Sequence, residues 1–234
     1  MFSSVFGKTV WEQRRSIMWW ILGLVALTAL TVGVYPSIRD QPGLSDIADD
    51  YPDALLALLG IEPGEDLFSP SGYIETQLYA NWIPLVFLIF SIGTGARAIA
   101  GEEEKGTMDS LLANPIARSR IVIEKFWAMV LWTSSLAVGL FAVIFVGNYA
   151  VDLKLKPEGV LSINLALLLL AVLFGAIALA IGAVTGRRTF TLGVTSALAV
   201  FTYFLFGLAQ VVSWLEPFRF LSPFHYFLSP NHLL

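Results

Sequence analysis

The 234-residue chain has no cysteine, only two histidines, and a charged fraction of 14%. Without cysteine there is no disulfide framework, no thiol nucleophile and no thiolate metal site. The histidines, His225 and His232, lie near the end of the chain with no third ligand at metal spacing. They read as interfacial hydrogen bonders, and no metal is expected. The low charge excludes an ordinary soluble domain, in which about a quarter of residues are charged. No GxSxG or HExxH occurs. No Asp, Glu, Lys or Arg falls in the middle of a long apolar run, where it would mark a proton or ion relay. A proton-coupled transporter is therefore disfavoured. Any pathway the chain lines should be weakly polar, which suits a lipophilic or amphipathic cargo.

What is abundant is apolar: 56% of the residues are hydrophobic. They come in runs of about 20, the length that crosses a ~30 Å hydrocarbon core. The alternating ten-residue segments of a β-barrel are absent. The expected fold is an all-α polytopic membrane protein, a single transmembrane domain over 1–234 with five spans at 16–34, 79–98, 126–146, 163–185 and 190–214.

Residues 1–15 put Phe2, Val5, Phe6 and Val10 on one helical face, which predicts a short N-terminal interfacial helix or else a frayed tail. Trp19-Trp20 and Tyr35-Pro36 bracket the first span with interface aromatics. The loop at 36–78 carries nine acids against Arg39 alone. Within it Ile47, Tyr51, Ala54, Leu55, Leu58 and Leu59 recur at helical spacing. This is either an amphipathic helix over the mouth of the bundle or a solvated loop. Pro84 should disturb the start of the second span. Ala178, Gly182 and Gly186 fall four apart in the fourth span, the small-residue seam that lets helix backbones approach. Residues 215–234, rich in proline and aromatics, read as an outer re-entrant or interfacial piece.

With the N-terminus inside and the spans alternating, ten of the fourteen bases fall inside and twelve of the eighteen acids outside. This is a positive-inside bias.

The longest inside stretch is 99–125. Glu102, Glu103 and Glu104 precede Lys105-Gly106, where a glycine can take positive φ and stop a helix. Thr107 can cap a new short helix with Asp109 in its first turn. Met108, Leu111 and Leu112 give that helix an apolar face. Asn114-Pro115 end it, and Arg118, Arg120 and Lys125 lead into the third span. On the residues alone this is a short helix presenting a knob to a protein groove, or an ordinary solvated loop.

At these residues, ARAIAGEEEKGTMDSLLANPIARSRIVIEK, the sequence resembles the signature of ABC transporter permeases of the type-2, exporter class. The matching positions are Glu102 to Glu104, Gly106-Thr107, Leu111-Leu112, Pro115, Arg118 and Lys125. The resemblance extends to YPDALLALLG in the outer loop and to GYIETQLYANWIPL before the second span. It implies a six-span fold, of which the sixth span has no counterpart in these residues. It also implies a second permease copy or paralogue, two ATP-binding cassette ATPase subunits, and a coupling helix within the central segment. The expected place is the plasma membrane of a prokaryote, with lipid and a transported small molecule as further partners and no nucleic acid. Gly101 and Gly106 have the spacing of P-loop glycines, but Thr107-Met108 follow where Lys and Ser/Thr are needed. The intervening glutamates would repel phosphate. No cofactor is expected in this chain; ATP and Mg belong to the partner. A reading from another class stays open: a non-transporting scaffold or sensor whose outer loop binds a partner.

Overall fold

The computed structural model describes residues 4–39, 69–107 and 117–228. It has five helices long and apolar enough to cross a membrane: α1 (Val5–Arg39), α2 (Pro70–Ala98), α4 (Arg118–Ala150), α5 (Pro157–Thr185) and α6 (Arg188–Ala209). Between α2 and α4 stands a five-residue helix, α3 (Ala100–Glu104). A 3-10 turn (Glu216–Leu221) and a short helix, α7 (Pro223–Leu228), follow α6. No strand occurs among the described residues, and the expected all-α fold with five spans holds. The amphipathic helix expected in the 36–78 loop falls mostly outside the described residues.

The N-terminal boundary differs from the expectation. Residues 5 to 39 form one continuous helix with no break near residue 15. At 1.5 Å per residue that rod is about 52 Å long, well beyond a bilayer core. Two causes are visible. No proline interrupts the chain before Pro36. The first turn is also pinned to α4, because the Phe6 N–H donates to Glu124 Oε2 at 2.9 Å. A helix fastened there by its first turn stands with the bundle instead of lying apart on the membrane.

The centre of the bundle is the crossing of α2 and α5, with α4 alongside, α1 on α4, and α6 on α5 and α2. Lipid is as apolar as leucine, so packing and polar contacts, not water exclusion, hold such helices together. The crossing uses missing side chains. A Cβ on Gly95 would collide with the Gly175 carbonyl oxygen and stand 3.2 Å from Ala178 Cβ. A Cβ on Gly175 would meet Met129 Sδ at 2.6 Å. Gly182 faces Ala96 of α2 and Ala100 at the start of α3. Ala178 and Gly182 thus lie in the α2–α5 contact. Gly186 does other work: it ends α5 in the left-handed conformation, φ 62°, as a C-terminal cap.

The α2 helix is irregular where Pro84 was expected to act. Glu75–Trp82 runs as π-helix, with the Ile83 N–H bonded to the Leu78 carbonyl five residues back. The wide turns stop one residue before Pro84, whose ring would clash with the carbonyl four back in a regular helix. Asn81 Nδ2 donates to Thr76 O at 2.8 Å within the same stretch.

The charged end of the bundle as candidate functional site

The N-terminus of α1, the C-termini of α2 and α5, and the N-termini of α4 and α6 meet at one end. There α3 leaves α2 and offers three consecutive acids. Glu102 forms an ion pair with Lys125 Nζ in the first turns of α4. Lys125 is 3% exposed, so this cation reaches little solvent. At the same end Ala98, Ile99 and Leu179, with Val122 and Phe126, form a small apolar cluster of their own. Glu104 accepts the Arg188 backbone N–H at 2.8 Å. That places an anion on the first turn of α6, where the helix dipole favours one. Glu103 lies against Gly186, so close that a Cβ there would stand 2.8 Å from its carboxyl carbon. One turn of helix therefore ties the ends of α2, α4, α5 and α6 together.

The collar continues around α4. Arg120 Nε donates to Glu124 Oε1 at 2.8 Å, and the other oxygen of Glu124 receives the α1 N–H described above. On α1, the Arg14 guanidinium sits over the Trp11 ring at 3.0 Å from its centroid, a cation–π contact.

Gly106 takes φ 66°, and the bonds around it are Thr107 N–H to Glu102 O at 2.9 Å and Gly106 N–H to Glu103 O at 3.0 Å. This six-to-one plus shorter pair is the Schellman arrangement, which satisfies the last carbonyls of α3. The Thr107 hydroxyl donates back to Glu102 O at 3.2 Å. The chain leaves the collar at this stop and returns at Ala117, which begins α4 without a side-chain cap, Arg118 following in solvent. Met108, Asp109, Leu111, Leu112 and Pro115 of the expected coupling helix lie outside the described residues. What the structure gives is their anchorage on both sides: α3 before them, Arg118 and the buried Lys125 after them.

Sequence reasoning named Glu102 to Glu104 as matching positions and no partner for them within the chain. The structure engages Glu102 and Glu104 within the chain itself. It also missed Lys125 as a buried residue, Glu124 as the cap of α1, and Gly95 and Gly175 as the tightest approach. The glycines carried a signal, since both stand inside apolar runs where glycine has no conformational reason to be.

At the opposite end the contacts that join helices are made by amides and hydroxyls; the ionised groups there include buried Glu75 and the exposed pair of Lys154 with Asp152. Tyr79, fully buried, accepts from Asn164 Nδ2 at 2.7 Å, and Glu75 is buried one turn earlier on α2. Asn148 clamps the turn between α4 and α5, accepting the Leu155 N–H at 2.9 Å and donating to Leu155 O at 3.1 Å. Ser222 Oγ donates to Thr202 O at 2.7 Å. That bond seats α7, and with it Phe224 against Tyr203 and Phe174. Between α2 and α6 lies an apolar cleft of about 340 Å³, with Asn81, Ser196 and Tyr203 its polar members and Leu88, Ala199 and Phe224 among its walls. Among the described residues no group of three or more His, Cys, Asp or Glu could hold a metal.

No curated protein and no solved structure matches the chain. The family model described as ABC-2 family transporter protein matches residues 4–233, nearly the whole sequence, and the chain, a membrane-spanning permease, belongs to that family.

Proposed function

We propose that this permease is the membrane half of an ATP-driven exporter, moved by separate ATPase subunits that dock at the charged end. The single observation that supports this most is the anchorage of residues 107–117. The segment leaves from α3 and returns into α4, and the ion pair of Glu102 with Lys125 joins the two sides behind it. A force on the segment is thereby delivered to α2 and α4 together, and through Glu104 to α6. In this reading Met108, Leu111 and Leu112 enter the partner's groove, while Gly106, Thr107, Asp109, Pro115 and Arg118 set the turns and charges around them. Glu102 and Glu104 hold the frame and do not face the partner.

The charged end is then cytoplasmic, consistent with the bias of bases to that side. Two copies, or this chain and a paralogue, would enclose the pathway in the plasma membrane of a prokaryote. The cleft between α2 and α6, apolar with three polar members, suits a lipophilic or amphipathic cargo.

The test is Leu111→Asp with Leu112→Asp in the permease reconstituted with its cassette ATPase. Both ATPase stimulation and transport are expected to collapse while the permease itself purifies normally. Survival of both activities would refute the coupling assignment. Failure of any cassette ATPase to co-purify with the wild-type chain would refute the exporter reading itself.

A further inference from the structure

Two guanidiniums converge at the charged end without a carboxylate of their own. Arg97 stands in the last turn of α2 and Arg188 begins α6. A Cβ placed on Gly101 would meet Arg97 Cβ at 3.4 Å and Cγ at 3.6 Å, and Arg188 Cδ at 3.9 Å. The two side chains therefore pass over the bare backbone of Gly101 next to each other. Of the neighbouring acids, Glu102 is paired with Lys125 and Glu104 accepts the Arg188 backbone N–H, while Glu103 rests against Gly186 and pairs with neither arginine. None of the ion pairs among the described residues includes Arg97 or Arg188. Arg97 Nε is used on the Gly93 carbonyl at 2.9 Å, which leaves its outer nitrogens. Arg188 Nε is buried with no acceptor.

Like charges at this range repel, and a buried donor without an acceptor is costly. One anion between the two arginines would relieve both. A guanidinium presents a planar fork that matches the oxygens of a phosphate. The height of the pair selects the source of that phosphate. Arg97 ends one membrane-crossing helix and Arg188 starts another, the level at which lipid headgroups lie and long basic side chains snorkel. Phe190, two residues farther along α6, is 54% exposed. Farther along the same two helices the apolar cleft begins at Ile92 and Ser196, about 8 Å beyond Arg97 and 12 Å beyond Arg188 at 1.5 Å per residue. That distance is within the reach of an acyl chain.

We propose that Arg97 and Arg188 form a binding site for the phosphate of an anionic membrane lipid, with Gly101 as its floor and acyl chains along α2 and α6. The site rests on the membrane-spanning fold alone and does not depend on an ATPase partner or on the direction of transport.

The test is lipid retention by the full-length permease, purified, delipidated and titrated with phosphatidylglycerol or phosphatidylcholine under native mass spectrometry. Arg97→Gln with Arg188→Gln should weaken phosphatidylglycerol binding by about tenfold or more, since each base near an anionic headgroup contributes roughly a fivefold factor. The Lys pair, Arg97→Lys with Arg188→Lys, should retain part of the affinity and guards against a folding artefact. If the Gln pair does not purify, Arg188→Gln alone should lose roughly fivefold. Lys8→Gln with Lys105→Gln, exposed bases on α1 and just after α3, should change little. Phosphatidylcholine should bind weakly to every variant, and millimolar inorganic phosphate should not displace phosphatidylglycerol. Unchanged binding in the Gln pair, or equal losses in the control pair, would overturn the site. Displacement by inorganic phosphate alone would overturn the lipid and leave a free-phosphate site.

Discussion

At one end of the bundle, α2, α4 and α6 are joined by carboxylates: Glu102 on Lys125, Glu104 on the start of α6, Glu124 on the start of α1. At the other, amides and hydroxyls do the joining: Asn164 on Tyr79, Asn148 on Leu155, Ser222 on Thr202. The two chemistries differ in what happens when a contact is pulled apart. A neutral hydrogen bond that is lost leaves one donor and one acceptor, neither of them charged. A buried ion pair that loses one partner leaves a charge out of water, which costs several times more. The end whose buried contact is the ion pair of Glu102 with Lys125 therefore behaves as a latch with two well-separated states, and the end held by amides as a hinge that yields gradually. In the proposed exporter the latch lies where the ATPase would pull.

The sharpest way to break that contrast is Lys125→Met. The methionine fills the space, but the Glu102 carboxylate remains without its cation. Because Glu102 keeps some solvent contact, the loss should sit near the lower end of the range for broken buried pairs, about 3 kcal/mol. It should appear as a lower melting temperature in detergent. Adding Glu102→Gln to Lys125→Met should recover most of it, because a neutral pair leaves no stranded charge. If the single and double variants melt alike, the pair is not a latch.

The crossing between the two ends should be indifferent to charge and sensitive to volume. Gly95→Ala drives a methyl group into the Gly175 carbonyl, which is backbone and cannot turn away. Overpacking of this kind costs about 1–3 kcal/mol. Gly175→Ala meets the flexible end of Met129 and should cost less. Gly23→Ala, with nothing within 4 Å, should be neutral or slightly stabilising. Equal melting temperatures for the Gly95 and Gly23 variants would show that the helices do not meet as closely as described.

At the amide end, Asn164→Leu removes the donor to Tyr79 and should cost about 1 kcal/mol, the ordinary worth of a neutral hydrogen bond. Tyr79→Phe should cost a similar amount, and the double variant little more than either one, since both changes delete one contact. A loss as large as that of Lys125→Met would erase the difference between the ends.

How much of this was legible in the sequence follows from what hydropathy can see. The five rods were legible because lipid demands about 20 apolar residues in a row; α5 ends at the expected Thr185, and α6 begins at Arg188, close to the expected 190. The rods run longer than the apolar runs at α1, α2 and α4, because polar residues such as Glu75 and Lys125 continue the helix once they have partners. Gly106 was legible from local chemistry alone. The pairing of Glu102 with Lys125 was not: the residues are 23 apart, and a glutamate run beside a helix end looks the same whether it faces solvent or a buried lysine. Gly95 and Gly175, 80 residues apart, identify each other only once the helices cross. The π turns before Pro84 escape sequence reading for another reason, since hydropathy reports which residues are apolar and not which carbonyl an amide chooses.

The smallest expected effect returns to the amide end and concerns pH. His225 on α7 lies against the ring of Phe220 at 5.0 Å and near Phe206 and Tyr226. Burial among these aromatics, and then the charge of Arg219, hold its pKa below the usual histidine value. The folded chain thus prefers this imidazole neutral. Its contribution to stability is complete above the unfolded histidine pKa of about 6.5 and declines as pH falls through that value toward the folded one. The ring is only partly covered, so the decline should be smaller than any loss above. It would be read as the drop in melting temperature from pH 7 to pH 5 in the wild type minus the drop in His225→Phe. A positive difference is expected, and none at all would mean that α7 does not sense the ring's charge. The sign is what separates the two ends: carboxylates keep Lys125 and Arg120 company as cations at one, while at the other an aromatic seat favours a histidine that carries no charge.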